Sequence, residues 1–333
     1  MRQTVISAIR HESGKIPYNV ELTTEKRHDL CEQIGISEDE YFSWSGSHIE
    51  KADYNTGEYI NPGFYKDNFG VIWNRTGLDK DIGVVEKPLI TEDNYRSYNC
   101  PDVDEAHVRN VTEALLSSKL GTLKLGKISM TLFERAWGLK GMEALLIDLQ
   151  VNSNEVEYLL DQIMEYNMKI IDIALEYDID GFYFGDDFGT QRGLIMSPEV
   201  WRFLFKPRFK KMFDKVKSKN KFVALHSCGD ITLLLGDLID IGLDIYQTVQ
   251  PEVYDLNKLK SEFGKSLCFW GSISTQRLLP VATKSELIDT VNKTLDIMGA
   301  GGGCIASPTH QVPSDVSNEN VLTLIDLLRE RSR

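Results

Sequence analysis

A chain of 333 residues with 42% hydrophobic content carries enough apolar material for a large core, in one barrel-sized domain or two smaller ones. Its net charge of −13, with lysine and arginine scattered rather than gathered into a stripe, argues against a nucleic-acid partner. The five cysteines, Cys31, Cys100, Cys228, Cys268 and Cys304, follow no disulfide spacing, no secretory leader precedes them, and every apolar run is too short for a bilayer, so a reduced, cytoplasmic protein that crosses no membrane is expected.

Taken in order, the chain starts with an amphipathic stretch at 3–10, a first strand at 15–21 and a helix from Thr23 closed by Gly35. Residues 37–104 are rich in Tyr, Asn, Gly and Asp. They read as an insertion over one end of the fold, with a short strand pair at 65–73. From Asp104 the text alternates between helical patterns and short apolar runs. Helices are expected at 104–118, 139–149 and 153–177, after Ser197-Pro198, from the capping box Thr283-Lys284-Ser285-Glu286 and from 317. Strands are expected at 123–130, 181–185, 221–226, 243–249, 266–271 and 304–306. Seven or eight strands separated by helices, with no linker-like break, predict an α/β chain folded as a single (β/α)8 TIM barrel over residues 1–333, the insertion covering one end.

A barrel collects the C-terminal ends of its strands on one face, so Glu21, Glu134, Asp186, Asp187, His226, Cys228, Gln247, Gln250, Ser272 and His310 should meet there. Of the neighbours Asp186 and Asp187, one should face the mouth and the other turn away to cap the loop. Glu134 is either a local partner of Arg135, a general base or an extra ligand. The glycines at 299–303 read as a helix cap and tight turn rather than a phosphate cradle, and Trp73, Trp137 and Trp270 as core.

The run His226-Ser227-Cys228-Gly229-Asp230 ends an apolar strand. Residues i and i+2 of an extended chain project to one side, so an imidazole and a sulfur converge there as half of a metal site. The alternative is a hydrogen-bonded core histidine beside a small buried thiol. The third ligand is either Cys304, at the start of the last strand, or His310, in the loop after it, and position favours His310. A His/Cys/His set with one open position is a catalytic zinc pattern.

Several segments, spread over nearly the whole chain, resemble the uroporphyrinogen decarboxylase superfamily and its branch of zinc-dependent, corrinoid-linked methyltransferases. They are Asp67-Asn68-Phe69-Gly70-Val71-Ile72-Trp73, Phe133-Glu134-Arg135-Ala136-Trp137 with Gly141, and Gly185-Asp186-Asp187-Phe188-Gly189-Thr190-Gln191. To these add Ser197-Pro198, His226-Ser227-Cys228-Gly229, Trp270-Gly271-Ser272-Ile273-Ser274-Thr275-Gln276 with Leu279-Pro280, and Ser307-Pro308-Thr309-His310 before Asn318-Glu319-Asn320. The resemblance implies zinc on His226 and Cys228, with His310 where the branch carries a cysteine. It implies transfer of a methyl group between a small O-, N- or S-methyl compound and a corrinoid protein, with Glu134, Asp186 and Asp187 as catalytic candidates. No cobalamin-binding segment is present in the chain, so the corrinoid is expected on a separate partner. The decarboxylase itself binds its acidic tetrapyrrole through arginines just after the first strand. Here that stretch is Asn19-Val20-Glu21-Leu22-Thr23-Thr24-Glu25, which leaves decarboxylation or lysis of a smaller carboxylated substrate as the alternative activity.

Overall fold

The computed structural model describes residues 1–12, 14–76, 83–91 and 96–333; parts of the expected insertion, at 77–82 and 92–95, lie outside them. Seven strands form one sheet in chain order: β1 (Ile49–Asp53), β2 (Leu123–Ile128), β3 (Gly181–Gly185), β4 (Phe222–His226), β5 (Ile245–Val249), β6 (Cys268–Ile273) and β7 (Cys304–Pro308). Each pairs in parallel with the next. Parallel neighbours need crossovers, and helices supply them, among them Glu105–Ser117, Ser153–Ala174, Lys206–Lys217, Thr232–Asp240, Leu256–Phe263 and Lys284–Gly299. This is a curled, TIM-barrel-like sheet.

Alternation along the strands separates two apolar layers. Ile49, Leu123, Leu125, Tyr183, Ala224, Ile245, Cys268, Trp270 and Ile305 form an inner cluster with Val5, Ile6 and Ile9 of the helix Arg2–Ile9. Phe182, Phe184, Val223, Leu225, Tyr246 and Phe269, their sequence neighbours, pack outward on the helices. The helix Arg2–Ile9 sits under the N-terminal ends of the strands. The N–H of Arg2 donates to Gly121 O at 2.7 Å, the guanidinium of Arg2 meets Asp180 at 2.6 Å, and the N–H of Gly303 donates to Ala8 O at 3.0 Å, all just before β2, β3 and β7. The helix thus occupies the face opposite the C-terminal ends of the strands.

Three expectations change. Residues 15–21 form no regular strand; they run beside β7, with parallel bridges Tyr18 to Ala306 and Leu22 to Val312, and Tyr18 O accepts the N–H of His48 at 2.9 Å. The first strand of the sheet is instead β1, inside the stretch read as insertion. Its text, Ile-Glu-Lys-Ala-Asp, can carry a charge at the inward position because Lys51 is paired there with the carboxylate of Glu21. The remaining insertion is a four-stranded antiparallel sheet, Gly57–Asn61, Phe64–Asp67, Ile72–Asn74 and Val84–Val85, whose two middle strands are the expected pair. Finally, the helix expected at 139–149 is two helices, Phe133–Lys140 and Met142–Val151, broken at Gly141, whose φ of 89° no interior helical residue adopts.

The small sheet is tied down through Asp67. Its Oδ1 accepts the N–H groups of Phe69 and Val71, both at 3.0 Å, and its Oδ2 accepts Trp73 Nε1 at 2.9 Å and a guanidinium N–H of Arg135 at 2.5 Å. Arg135, buried, also lies 4.1 Å over the ring of Phe69. The pair Glu134-Arg135 is therefore no local ion pair: Arg135 turns to the small sheet.

Candidate active site

His226 is the last residue of β4, and the turn behind it is held at every residue. Ser227 donates its N–H to Gln247 O at 2.7 Å, and its hydroxyl accepts from Phe188 N–H at 3.0 Å. Cys228 donates its N–H to Asp187 Oδ1 at 2.8 Å, and Gly229 donates to Gln250 Oε1 at 2.8 Å. Gly229 has a φ of 77°, and a β-carbon there would collide with the backbone of Gly189. The fourth residue of the motif therefore has to be glycine.

His310 arrives from the loop after β7. Thr309 before it is anchored on both sides, its N–H on Ile273 O at 2.9 Å and its carbonyl on Thr248 Oγ1 at 2.7 Å. Cys228 Sγ then lies 3.1 Å from His310 Nε2 and 3.5 Å from His226 Nε2, and donor atoms of all three residues fall within 4.8 Å of one another. Cys304 begins β7, at the end of the strand away from His310, and is buried, its thiol pushed up to about 12 by burial.

The electrostatics of this triad fit a cation. Burial, then Asp187 and Glu134, push the Cys228 thiol well above its ordinary range, so a thiolate forms there only beside positive charge. Desolvation and the neighbouring His226 push His310 down to about 4, which leaves its imidazole neutral and able to coordinate. A tetrahedral ion with bonds of about 2.0–2.3 Å sets its ligand atoms roughly 3.3–3.8 Å apart, close to the two sulfur–nitrogen distances of 3.1 and 3.5 Å. One thiol, two imidazoles and flanking carboxylates are a zinc-type donor set.

The two aspartates have different partners. Asp186 is fully buried and accepts the N–H groups of Leu132 (2.9 Å), Phe133 (2.8 Å) and Glu134 (2.7 Å), capping the helix Phe133–Lys140; burial pushes it up to about 7 against the pull of those donors. Asp187 is half-exposed, with Oδ1 3.4 Å from His226 Nε2. Glu134 sits beside both. Burial, then the charges of Asp187 and Asp186, hold its carboxyl well above the usual range.

On the β1 side, burial would raise Glu21, but the ammonium of Lys51 at 2.6 Å holds it below the usual range. That ammonium also lies 4.9 Å from the ring centre of Tyr183 and 5.4 Å from that of Trp270. Tyr183 in turn donates to Gln247 Oε1 at 2.7 Å. Gln250 is spent on the loop, and Ser272, at the end of β6, is buried with a φ of 77° and a hydroxyl without a hydrogen-bond partner among the described residues. Sequence reasoning missed Lys51 because its strand went unrecognised. It missed Tyr183 because an aromatic in an aromatic strand looks like packing; the signal was its place two residues before Gly185, on the inner side.

The family described as Uroporphyrinogen decarboxylase (URO-D) matches residues 78–331. Among solved structures, a methyltransferase from Methanosarcina mazei is similar at a TM-score of 0.73 and 18% identity, covering 99% of this chain and 98% of that one, which shows a shared fold. A B12-independent methionine synthase from Shewanella aligns at a TM-score of 0.49 and 10% identity, over 96% of this chain and 95% of that one. No curated protein sequence matches. With the family's pattern running through well over half of its length, from before the helix Glu105–Ser117 to the end of the helix Asn318–Arg331, the chain belongs to the uroporphyrinogen decarboxylase family.

Proposed function

We propose that this protein is a methyltransferase that moves a methyl group between a small O-, N- or S-methyl compound and a corrinoid carried by a separate protein, with zinc held by His226, Cys228 and His310. The observation that supports this reading is the meeting of one thiol and two imidazoles within 4.8 Å at the C-terminal face of the sheet. Three protein ligands leave a fourth position for substrate, and zinc bound there would supply the Lewis acidity that activates the substrate's heteroatom. The fold shared with the Methanosarcina mazei methyltransferase agrees with it. We read the whole chain as one domain, in which the segment beside β7 serves as the eighth stave of a closed barrel, and the reduced Cys228 as suited to a cytoplasmic setting.

The chain's own residues would act around that position. Asp187 holds the Cys228 backbone, and Asp186, by capping the helix Phe133–Lys140, sets where Glu134 stands. In the demethylating direction the bond from heteroatom to methyl would break with its electron pair left on the heteroatom, which would take the proton of Glu134, while a reduced corrinoid on the partner would supply the pair that accepts the methyl group. The reverse direction returns that proton.

A decarboxylase or lyase of a small carboxylated substrate is the second reading, favoured by the raised carboxyl of Glu134 beside Asp187, a group suited to giving a proton to a carbanion. Two measurements separate them. Zinc content of the purified protein should approach one per chain, and methyl-donor turnover should require an added corrinoid protein; release of carbon dioxide without a corrinoid would replace the first reading by the second.

A further inference from the structure

The tautomer of His226 is contested from two sides. Its Nε2, the atom turned toward Cys228 Sγ, also lies 3.4 Å from Asp187 Oδ1. A carboxylate there favours a proton on Nε2, and an Nε2–H cannot coordinate a metal. On the other side of the ring, Nδ1 is hydrogen-bonded to Gln247 Oε1. An amide oxygen only accepts, so this contact draws the proton to Nδ1 and leaves the Nε2 lone pair free.

Gln247 is placed for this by the sheet. It is the register partner of His226 across β4 and β5, is nearly fully buried, and lies where the β5–β6 register shifts. Its amide is oriented by Tyr183, whose hydroxyl donates to the same Oε1 at 2.7 Å. Burial keeps the Tyr183 phenol protonated and so a donor.

We infer that Gln247, oriented by Tyr183, is a positioning residue that holds His226 as the Nδ1–H tautomer and so presents Nε2 to Cys228 and His310. The role in metal binding rests on the zinc reading above; the tautomer does not.

The test uses the full chain with 15N-labelled histidine. Six histidines are present, and the loss of one set of signals in His226→Gln assigns the ring. Two-bond 1H–15N correlations of the metal-free protein should show Nδ1–H at His226. In Gln247→Leu that ring should move to Nε2–H or a mixture, and zinc affinity, titrated against a chromophoric chelator, should fall by about 10–100-fold. Tyr183→Phe should give a smaller change in the same direction. Gln247→Glu keeps an acceptor at the same place, so it should keep the tautomer and bind zinc within a few-fold of the parent, which separates positioning from packing. An Nε2–H tautomer in the parent protein, or a folded Gln247→Leu with tautomer and zinc affinity both unchanged, overturns the inference. If the parent shows Nδ1–H, Gln247→Leu loses it and neither binds zinc, the positioning role stands and the zinc reading falls.

Discussion

Cys228 Sγ lies 3.1 Å from Nε2 of His310, although 82 residues and three strands of the sheet separate them in the chain. The contact joins the turn after β4 to the loop after β7, so whatever binds between the two side chains ties together two halves of the sheet. Cys228→Ala should therefore lower zinc content and turnover together. Cys304→Ala, at the far end of β7, should leave zinc in place and cost only packing, on the order of 1 kcal/mol. Metal analysis of the two variants decides: loss of zinc from Cys304→Ala, with His310→Ala retaining it, would reassign the third ligand.

Gly229→Ala places a side chain on a left-handed backbone against Gly189. The turn must shift, and Cys228, one residue earlier, shifts with it. We expect about 1–3 kcal/mol of destabilisation in chemical denaturation and a weaker zinc affinity by titration. Parental affinity in a folded variant would show that the turn does not set the position of Cys228.

The buried pair of Asp67 and Arg135 is an asymmetric case. Removing either charge alone strands the other, so Asp67→Asn or Arg135→Met should each cost about 3–5 kcal/mol by urea denaturation. The double variant should recover part of that loss. A double variant as unstable as the two single losses added together would mean that the ions do not act as a pair.

His48 supplies a pH dependence away from the candidate site. Burial, then the nearby N-terminal ammonium, lowers it from 6.5 to about 4. Above pH 6.5 the ring is neutral folded or unfolded, and stability is unaffected. Below it the unfolded chain binds the proton first, so stability falls as pH drops and the loss is complete near pH 4, at roughly 3 kcal/mol. Denaturation midpoints of His48→Gln should be flatter than the parent's between pH 6.5 and 4; parallel profiles would remove His48 as the cause.

The triad shows how a site becomes legible and where it stops being so. His226 and Cys228 could be paired from sequence because two residues on an extended strand share a side, a local rule that needs no partner. The strand-to-helix alternation after Asp104 likewise predicted the parallel sheet, and caps such as Ser197 and Thr283 sit where their chemistry places them. Strand β1 was not legible. Its inward Lys51 breaks the apolar pattern, and the partners that make that lysine tolerable inside, Glu21 and the rings of Tyr183 and Trp270, lie far away in the chain. The same holds for Arg135, whose carboxylate partner is not its neighbour but Asp67 on the small sheet.

What the sequence by itself determined, then, is the class of fold and the His-x-Cys pair, since both follow from periods of two and of 3.6 residues. Tertiary structure alone decided which of two adjacent aspartates faces the mouth, that Gln247 rather than solvent meets Nδ1 of His226, and how close His310 comes to Cys228. The physical reason is that each depends on contacts between strands and the turns after them, set by sheet register and curvature, and no local pattern carries the register of one strand against another.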